Sequence, residues 1–123
     1  IPVTQFISDD RLNEIVERAK AGGAEIVKKM GTSGYLAPAS GTVQMVESII
    51  RDKKRILPCA SYCNGEFGIN GLFVGVPTLL GAGGVEKVIE IDLNADEQKL
   101  MDASRDHVAE LVQVVQKMFP ELA

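Results

Sequence analysis

The segment 52–93 constrains the fold most strongly, because short apolar runs alternate there with glycine-marked turns. The dipeptide Asn64-Gly65 and the glycine-rich stretch 81–84 are both strong turn signals. Each connection is too short for a parallel crossover, which takes a dozen or more residues. The segment therefore predicts consecutive antiparallel strands in a meander that leads into a terminal helix. The predicted strands are 56–62, 72–80 and 85–93.

Two prolines and an alternating pattern refine the prediction for these strands. Pro58 restricts the first run to a sheet edge or a bulge, since proline cannot donate a hydrogen bond to a strand ladder. Pro77 predicts a bend that divides the second run into two short strands. In the third run, Ile89, Ile91 and Leu93 alternate with acidic residues, which is typical of a strand with one buried face.

The first helix is predicted after a short extended piece at 1–7. Ser8 is a favourable N-cap, and apolar residues then recur at helical spacing until Gly31. Gly22 and Gly23 interrupt this pattern. A glycine in a helix interior costs about 1 kcal/mol relative to alanine, so the pair predicts a kink or close packing against another element.

The second helix is predicted to begin near Pro38, because proline is tolerated in the first helical turn. The small residues at 39–41 would allow another backbone to approach closely, either in simple packing or at a subunit or cofactor contact. Its predicted apolar face consists of Val43, Val46, Ile49 and Ile50.

The third helix starts with a capping-box pair, Asn94 and Glu97, and is stopped by Pro120 after about 25 residues. Its predicted apolar stripe consists of Leu100, Ser104, Val108, Leu111, Val115 and Met118. Together the segments predict an α+β fold in which three main helices accompany a mostly antiparallel sheet.

Composition narrows the classes of function. The net charge of −4 argues against a nucleic-acid interface, which needs a clustered basic face. The one basic cluster, at 51–55, is interpreted as a solvated helix-to-strand turn. No apolar run approaches the roughly 20 residues of a membrane helix. Cys59 and Cys63 would lie about 13 Å apart in one strand, too far for a disulfide, and reduced thiols favour the cytosol.

The residues by themselves do not reveal a catalytic site. The glycines at 81–84 do not fit a dinucleotide-binding fingerprint, because a strand rather than a helix follows them. His107 is the only histidine, and the adjacent Asp106 would point in a different direction on a helix, so a surface or boundary position is predicted. A metal site would need more ligands near the two cysteines.

Six segments together resemble the C-terminal half of malate dehydrogenases of the lactate-dehydrogenase-like type. The first reads GTSGYLAPAS, and the third reads DKKRILPC. The resemblance extends over nearly all of the 123 residues. The six segments are 31–40, 43–48, 52–59, 64–68, 73–77 and 80–86.

The resemblance implies reversible hydride transfer between malate and NAD, with oxaloacetate as the product. It assigns no catalytic residue and no metal ligand to this chain. Gly34 matches the position beside the variable end of the substrate, where a small residue leaves room. Pro38 matches a position that contacts the nicotinamide face. The family usually has alanine at the position of Gly34, so this residue is a departure.

The resemblance also implies that residues 1–123 form a C-terminal substrate domain. The catalytic histidine segment and the dinucleotide-binding domain would then precede Ile1, and the chain alone would be inactive. The family implies a cytoplasmic homo-oligomer, a dimer or a tetramer, that serves the tricarboxylic acid cycle. Two alternatives stay open: the C-terminal portion of an L-lactate dehydrogenase, or a non-catalytic interaction module.

Overall fold

The computed structural model describes residues 1–122, and it confirms an α+β fold with three helices and a three-stranded antiparallel sheet. Contacts along the chain group into two units, Ile1–Thr42 and a second that begins at Val43. The elements are α1 (Asp9–Met30), α2 (Leu36–Ile50), β1 (Arg55–Asn64), β2 (Asn70–Gly81), β3 (Gly84–Val88) and α3 (Ala95–Met118).

In the first unit, α1 begins and ends where the sequence predicts. The Ser8 side chain accepts a hydrogen bond from the Arg11 backbone N–H at 3.4 Å and so satisfies one free donor of the first turn. Gly31 follows the last turn with φ of 69°, a left-handed conformation that glycine adopts without strain. Its N–H donates to the Val27 carbonyl at 2.9 Å, which closes the helix.

Two expectations for the first unit are wrong. The piece 1–7 contains a 3₁₀ turn, Val3–Gln5, rather than extended chain, because local carbonyls accept the N–H groups of the turn and of the residues after it. The pair Gly22 and Gly23 is not closely packed: a methyl group on either would meet no heavy atom within 4 Å. α1 continues through both glycines without a break.

The second unit contains the sheet, with strands in the order β1-β2-β3 and both pairs antiparallel. This order confirms the predicted meander. Asn64 ends β1, and a 3₁₀ turn, Glu66–Gly68, leads to β2. The second connection is a tight hairpin in which Gly81 pairs with Gly84. Both turn signals therefore lie where the chain reverses.

The predicted bend at Pro77 is wrong, because β2 runs unbroken from Asn70 to Gly81. Pro77 faces Pro58 of the edge strand β1 in the register of the sheet. Opposed residues in an antiparallel sheet alternate between pairs that exchange hydrogen bonds and pairs that do not. In a pair of the second kind, neither proline removes a hydrogen bond between the two strands. Pairing the two prolines thus accommodates both of them.

The third strand is shorter than predicted: it ends at Val88 instead of position 93. The Ile89 N–H donates to the Pro77 carbonyl at 2.8 Å, but Pro77 has no N–H with which to return the bond. The ladder therefore stops at this pair. Ile91 is exposed, so the predicted alternation does not produce a buried face here.

The core of the second unit is formed on one face of this sheet. Ile69 and Cys63 are fully buried at its centre, and Met101 of α3 packs against them. The remaining members of the cluster are Val74, Val76 and Val88, with Phe67 and Leu72 at its margin.

Three buried hydroxyl groups lie among these apolar residues. The Ser48 hydroxyl of α2 donates to the Leu80 carbonyl at 2.8 Å and accepts from the Arg55 N–H at 3.3 Å. The hydroxyl groups of Ser61 and Thr78 lie 2.7 Å apart on neighbouring strands. Within the described residues, no buried side-chain nitrogen or oxygen lacks a partner.

The start of α3 confirms the predicted capping box. The Asn94 side chain accepts from the Asp96 and Glu97 N–H groups at 3.0 Å each, and the Glu97 carboxylate accepts from the Asn94 N–H at 2.9 Å. The predicted stripe is present but is not the face that packs on the sheet, since Leu100 and Met118 are exposed. The same is true of α2, whose Val43 and Ile50 are exposed.

Candidate functional site

The candidate site is the turn between α1 and α2, at 31–35, together with the first turn of α2. α1 ends at the left-handed Gly31, which redirects the chain. The Ala39 N–H donates to the Tyr35 carbonyl at 3.0 Å, and this bond fixes the first turn of α2. Tyr35 and Leu36 are exposed, so the segment presents an apolar surface.

Gly34 packs against α1. It is half-buried, whereas every other residue from 31 to 40 is exposed. A methyl carbon added at Gly34 would lie 2.9 Å from Cγ2 of Ile26, closer than real side chains approach. The structure therefore shows that glycine at position 34 allows close packing against α1, which the sequence did not show. It also identifies Ile26 as a neighbour of Gly34 that the sequence analysis missed.

Pro38 lies in the first turn of α2, as predicted. The absence of an N–H on Pro38 costs no helical hydrogen bond there, because the N–H groups of a first turn have no partner inside the helix. The Pro38 carbonyl accepts a hydrogen bond from the Thr42 hydroxyl at 2.9 Å. The pyrrolidine ring is exposed and available for contact with a flat apolar group.

The segment 31–42 can shape a binding surface but offers little for proton transfer. Tyr35 is its only ionisable side chain. Gly34 and Pro38 lie on the same turn-and-helix segment. The chemistry available here is steric: positioning and exclusion of volume.

In the second unit, the basic cluster at 51–55 is paired with carboxylates rather than merely solvated. Glu47 of α2 lies 2.7 Å from Lys53 and 3.2 Å from Arg51, and Arg55 approaches at 3.8 Å. The hydrogen bond from Lys53 and the positive charges of all three partners lower the pKa of Glu47 below its ordinary value. These three basic side chains thus share one carboxylate partner within the chain.

A second charged group joins the α2–β1 turn to the β2–β3 hairpin. The Asp52 carboxylate accepts the Ala82 N–H at 2.7 Å, a bond that lowers the pKa of Asp52, as does the hydrogen bond from Lys54. Lys54 lies 3.0 Å from Asp52 and 2.6 Å from Glu86, and the hydrogen bond to Glu86 raises the pKa of Lys54. These contacts stabilise two turns and resemble no catalytic pair.

We expect the Glu47 cluster to contribute a pH-dependent term to stability. Because the pKa of Glu47 is below 4.5 in the folded chain, its contribution is present above that pH and is lost as the pH falls through the folded value. The Glu47→Gln variant should therefore unfold at a lower temperature than the parent near neutral pH, and the difference should shrink as the pH is lowered into the acidic range. Thermal unfolding across this range measures it.

Glu17→Gln is the matched control for this pH series. Glu17 pairs with Lys20 at 2.7 Å on the exposed surface of α1, where an isolated ion pair adds little. Its melting curve should follow that of the parent at every pH. A Glu47→Gln difference that stays constant from neutral to acidic pH would contradict the assignment to this carboxylate.

The other candidate groups show no assembled site. His107 is exposed on α3, and its imidazole takes part in no hydrogen bond or ion pair among residues 1–122. Cys59 and Cys63 are free and buried, and burial raises the pKa of both thiols, which keeps them protonated. No group of three potential metal ligands occurs in the described part of the chain.

None of the helices within residues 1–122 is both long enough and apolar enough to cross a lipid bilayer.

Comparisons with known proteins agree with the fold. Malate dehydrogenase from Salinibacter ruber is 53% identical over 121 residues, which are 98% of this chain and 38% of that protein. Its solved structure superposes with a TM-score of 0.93 over 100% of this chain and 40% of that one. Lactate dehydrogenase from Eimeria maxima, solved with NADH and oxamate, is 35% identical and has a TM-score of 0.90 over 96% of this chain and 39% of that one.

The chain thus spans about two fifths of the length of the relatives that it matches. The family described as lactate/malate dehydrogenase, alpha/beta C-terminal domain, matches residues 2–121. This match covers nearly the whole chain, and the observed sheet and helices agree with it. The chain therefore belongs to the lactate/malate dehydrogenase C-terminal domain family.

Proposed function

We propose that residues 1–123 are the C-terminal substrate domain of an NAD-dependent malate dehydrogenase. The longer polypeptide would interconvert malate and oxaloacetate in the cytoplasm, as a homo-oligomer of two or four subunits. The observation that carries this proposal is the 53% identity to a malate dehydrogenase over 98% of the chain. The catalytic histidine segment and the dinucleotide-binding domain belong to the part that this chain does not contain.

The geometry of the turn-and-helix segment supports its proposed role. In this proposal, Gly34 lies beside the variable end of the substrate and Pro38 contacts the nicotinamide face, as the resemblance implies. The exposed ring of Pro38, with the exposed Tyr35 and Leu36 nearby, is an uncharged surface that fits a flat heteroaromatic ring. When bound, NAD supplies the hydride acceptor, while these residues hold the reacting groups at contact distance and exclude water.

The lactate alternative is less well supported than the malate proposal. The match to lactate dehydrogenase from Eimeria maxima has 35% identity, against 53% for the malate dehydrogenase from Salinibacter ruber. Both structures superpose well, so the fold does not separate the two substrates. The higher identity favours malate.

Activity measurements test the proposal. We expect the longer polypeptide to oxidise NADH with oxaloacetate much faster than with pyruvate. The purified 123-residue chain should give no malate-dependent reduction of NAD above the buffer blank, because the proposal assigns the catalytic histidine and the dinucleotide-binding domain to the rest of the longer polypeptide. The absorbance of NADH follows both reactions.

Each alternative has its own outcome in this assay. A preference for pyruvate over oxaloacetate would assign the longer polypeptide to lactate dehydrogenase. Failure of the longer polypeptide to reduce either 2-oxo acid would favour the non-catalytic interaction module. Turnover by the pure 123-residue chain would contradict the proposed division of the active site.

A further inference from the structure

We infer that Ile26 of α1 is a specificity-determining residue, which sets the volume at the variable end of the substrate through its contact with Gly34. The inference rests on the proposed function, in which Gly34 lies beside that end. The sequence suggested that a small residue at 34 leaves room for the substrate. The structure shows that the position of the missing side chain is already filled.

A side chain at position 34 would point towards Ile26. The three atoms nearest to an added methyl carbon all belong to this residue: Cγ2 at 2.9 Å, Cβ at 3.6 Å and Cδ1 at 4.0 Å. Gly34 therefore faces α1 rather than open space. The side chain that forms the wall at this point is that of Ile26.

Ile26 is suited to act as a fixed wall. A β-branched side chain in a helix has one strongly preferred χ1 rotamer, so the Cγ2 methyl cannot swing away from Gly34 at low cost. Ile26 is 40% exposed and lies along an open groove of about 550 Å³ on α1, which charged side chains also line. Because only part of this side chain is buried, truncation should alter local volume without unfolding the chain.

The first experiment measures substrate preference in the longer polypeptide. The ratio of kcat/KM for oxaloacetate to that for 2-oxoglutarate, which is one methylene longer, is compared between variants. We expect Ile26→Ala to shift this ratio about tenfold towards the longer acid, the typical effect of one methylene in a pocket. Ile26→Val keeps the Cγ2 methyl and should stay near the parent ratio.

The control and a second variant keep the result interpretable. Ile15→Ala truncates an isoleucine on the same groove that is 44% exposed and has no contact with Gly34, so its ratio should equal that of the parent. Ile26→Leu retains the volume but removes the branch at Cβ, and it should shift the ratio in the same direction as Ile26→Ala. Equal ratios for Ile26→Ala and Ile15→Ala would overturn the inference.

The second experiment tests the contact without an activity readout. In the 123-residue chain, Gly34→Ala should lower the thermal midpoint in the parent background and have a smaller effect when Ile26→Ala is also present. Equal effects in both backgrounds would overturn the contact. A longer polypeptide that cannot reduce oxaloacetate would instead refute the proposed function, whatever this cycle shows.

Discussion

Replacing Ile69 by alanine should lower the free energy of unfolding by about 3 kcal/mol, the typical cost of truncating a buried isoleucine. Ile69 is the largest fully buried side chain among the described residues, 1% exposed, and it belongs to the core cluster at the residue just before β2. Its carbonyl also accepts the Gly65 N–H at 2.8 Å, so a collapse around the cavity would distort the β1–β2 turn. Urea unfolding followed by circular dichroism measures the loss.

Ile56→Ala is the matched control for this truncation. Ile56 lies in β1 of the same sheet but is 57% exposed, and its removal should cost less than about 1 kcal/mol. A loss at Ile69 no larger than that at Ile56 would show that the core does not form around Ile69.

The sequence predicts those parts of the fold that depend on local chemistry. Ser8 and Gly31 bound α1, and Asn94 begins α3 with its capping box, because these residues satisfy backbone groups within a few positions. The turn at Asn64-Gly65 is equally local. Such features need no knowledge of distant contacts, and the antiparallel order follows from the short connections between strands.

The errors occur where a distant partner decides the structure. Pro77 does not bend its strand, because it lies opposite Pro58 of β1 in the register of the sheet. Pro58 is nineteen residues earlier in the sequence. The third strand stops because that same Pro77 cannot return the bond from Ile89. Similarly, helical periodicity identifies the apolar stripes of α2 and α3 but does not say which face the sheet covers.

The candidate site was predicted less completely than the fold. Gly34 and Pro38 were found through resemblance, because a glycine and a proline carry no acid–base chemistry that would single them out. Ile26 was missed, since the contact depends on how Gly31 turns the chain back towards α1. A pattern of residues cannot show where an absent side chain would point.

Replacing Thr78 by valine should lower the free energy of unfolding by about 2 kcal/mol, because it leaves the Ser61 hydroxyl buried without its partner. Both residues are almost fully inaccessible to solvent, so water cannot replace the lost bond. Valine has nearly the shape of threonine, so the cost reports the hydroxyl rather than a cavity. Urea unfolding gives the difference, with Thr42→Val, an exposed hydroxyl, as a control of small expected effect.

The double variant Ser61→Ala, Thr78→Val separates a hydrogen bond from a simple loss of packing. If the two hydroxyl groups serve mainly to satisfy each other, the double variant should be more stable than the sum of the single losses predicts, by about 1 kcal/mol. Strict additivity would mean that each hydroxyl acts through other partners, of which the Val76 carbonyl, 3.1 Å from the Thr78 hydroxyl, is the nearest choice. A paired result would show that this buried hydrogen bond adds to the backbone ladder that joins β1 and β2.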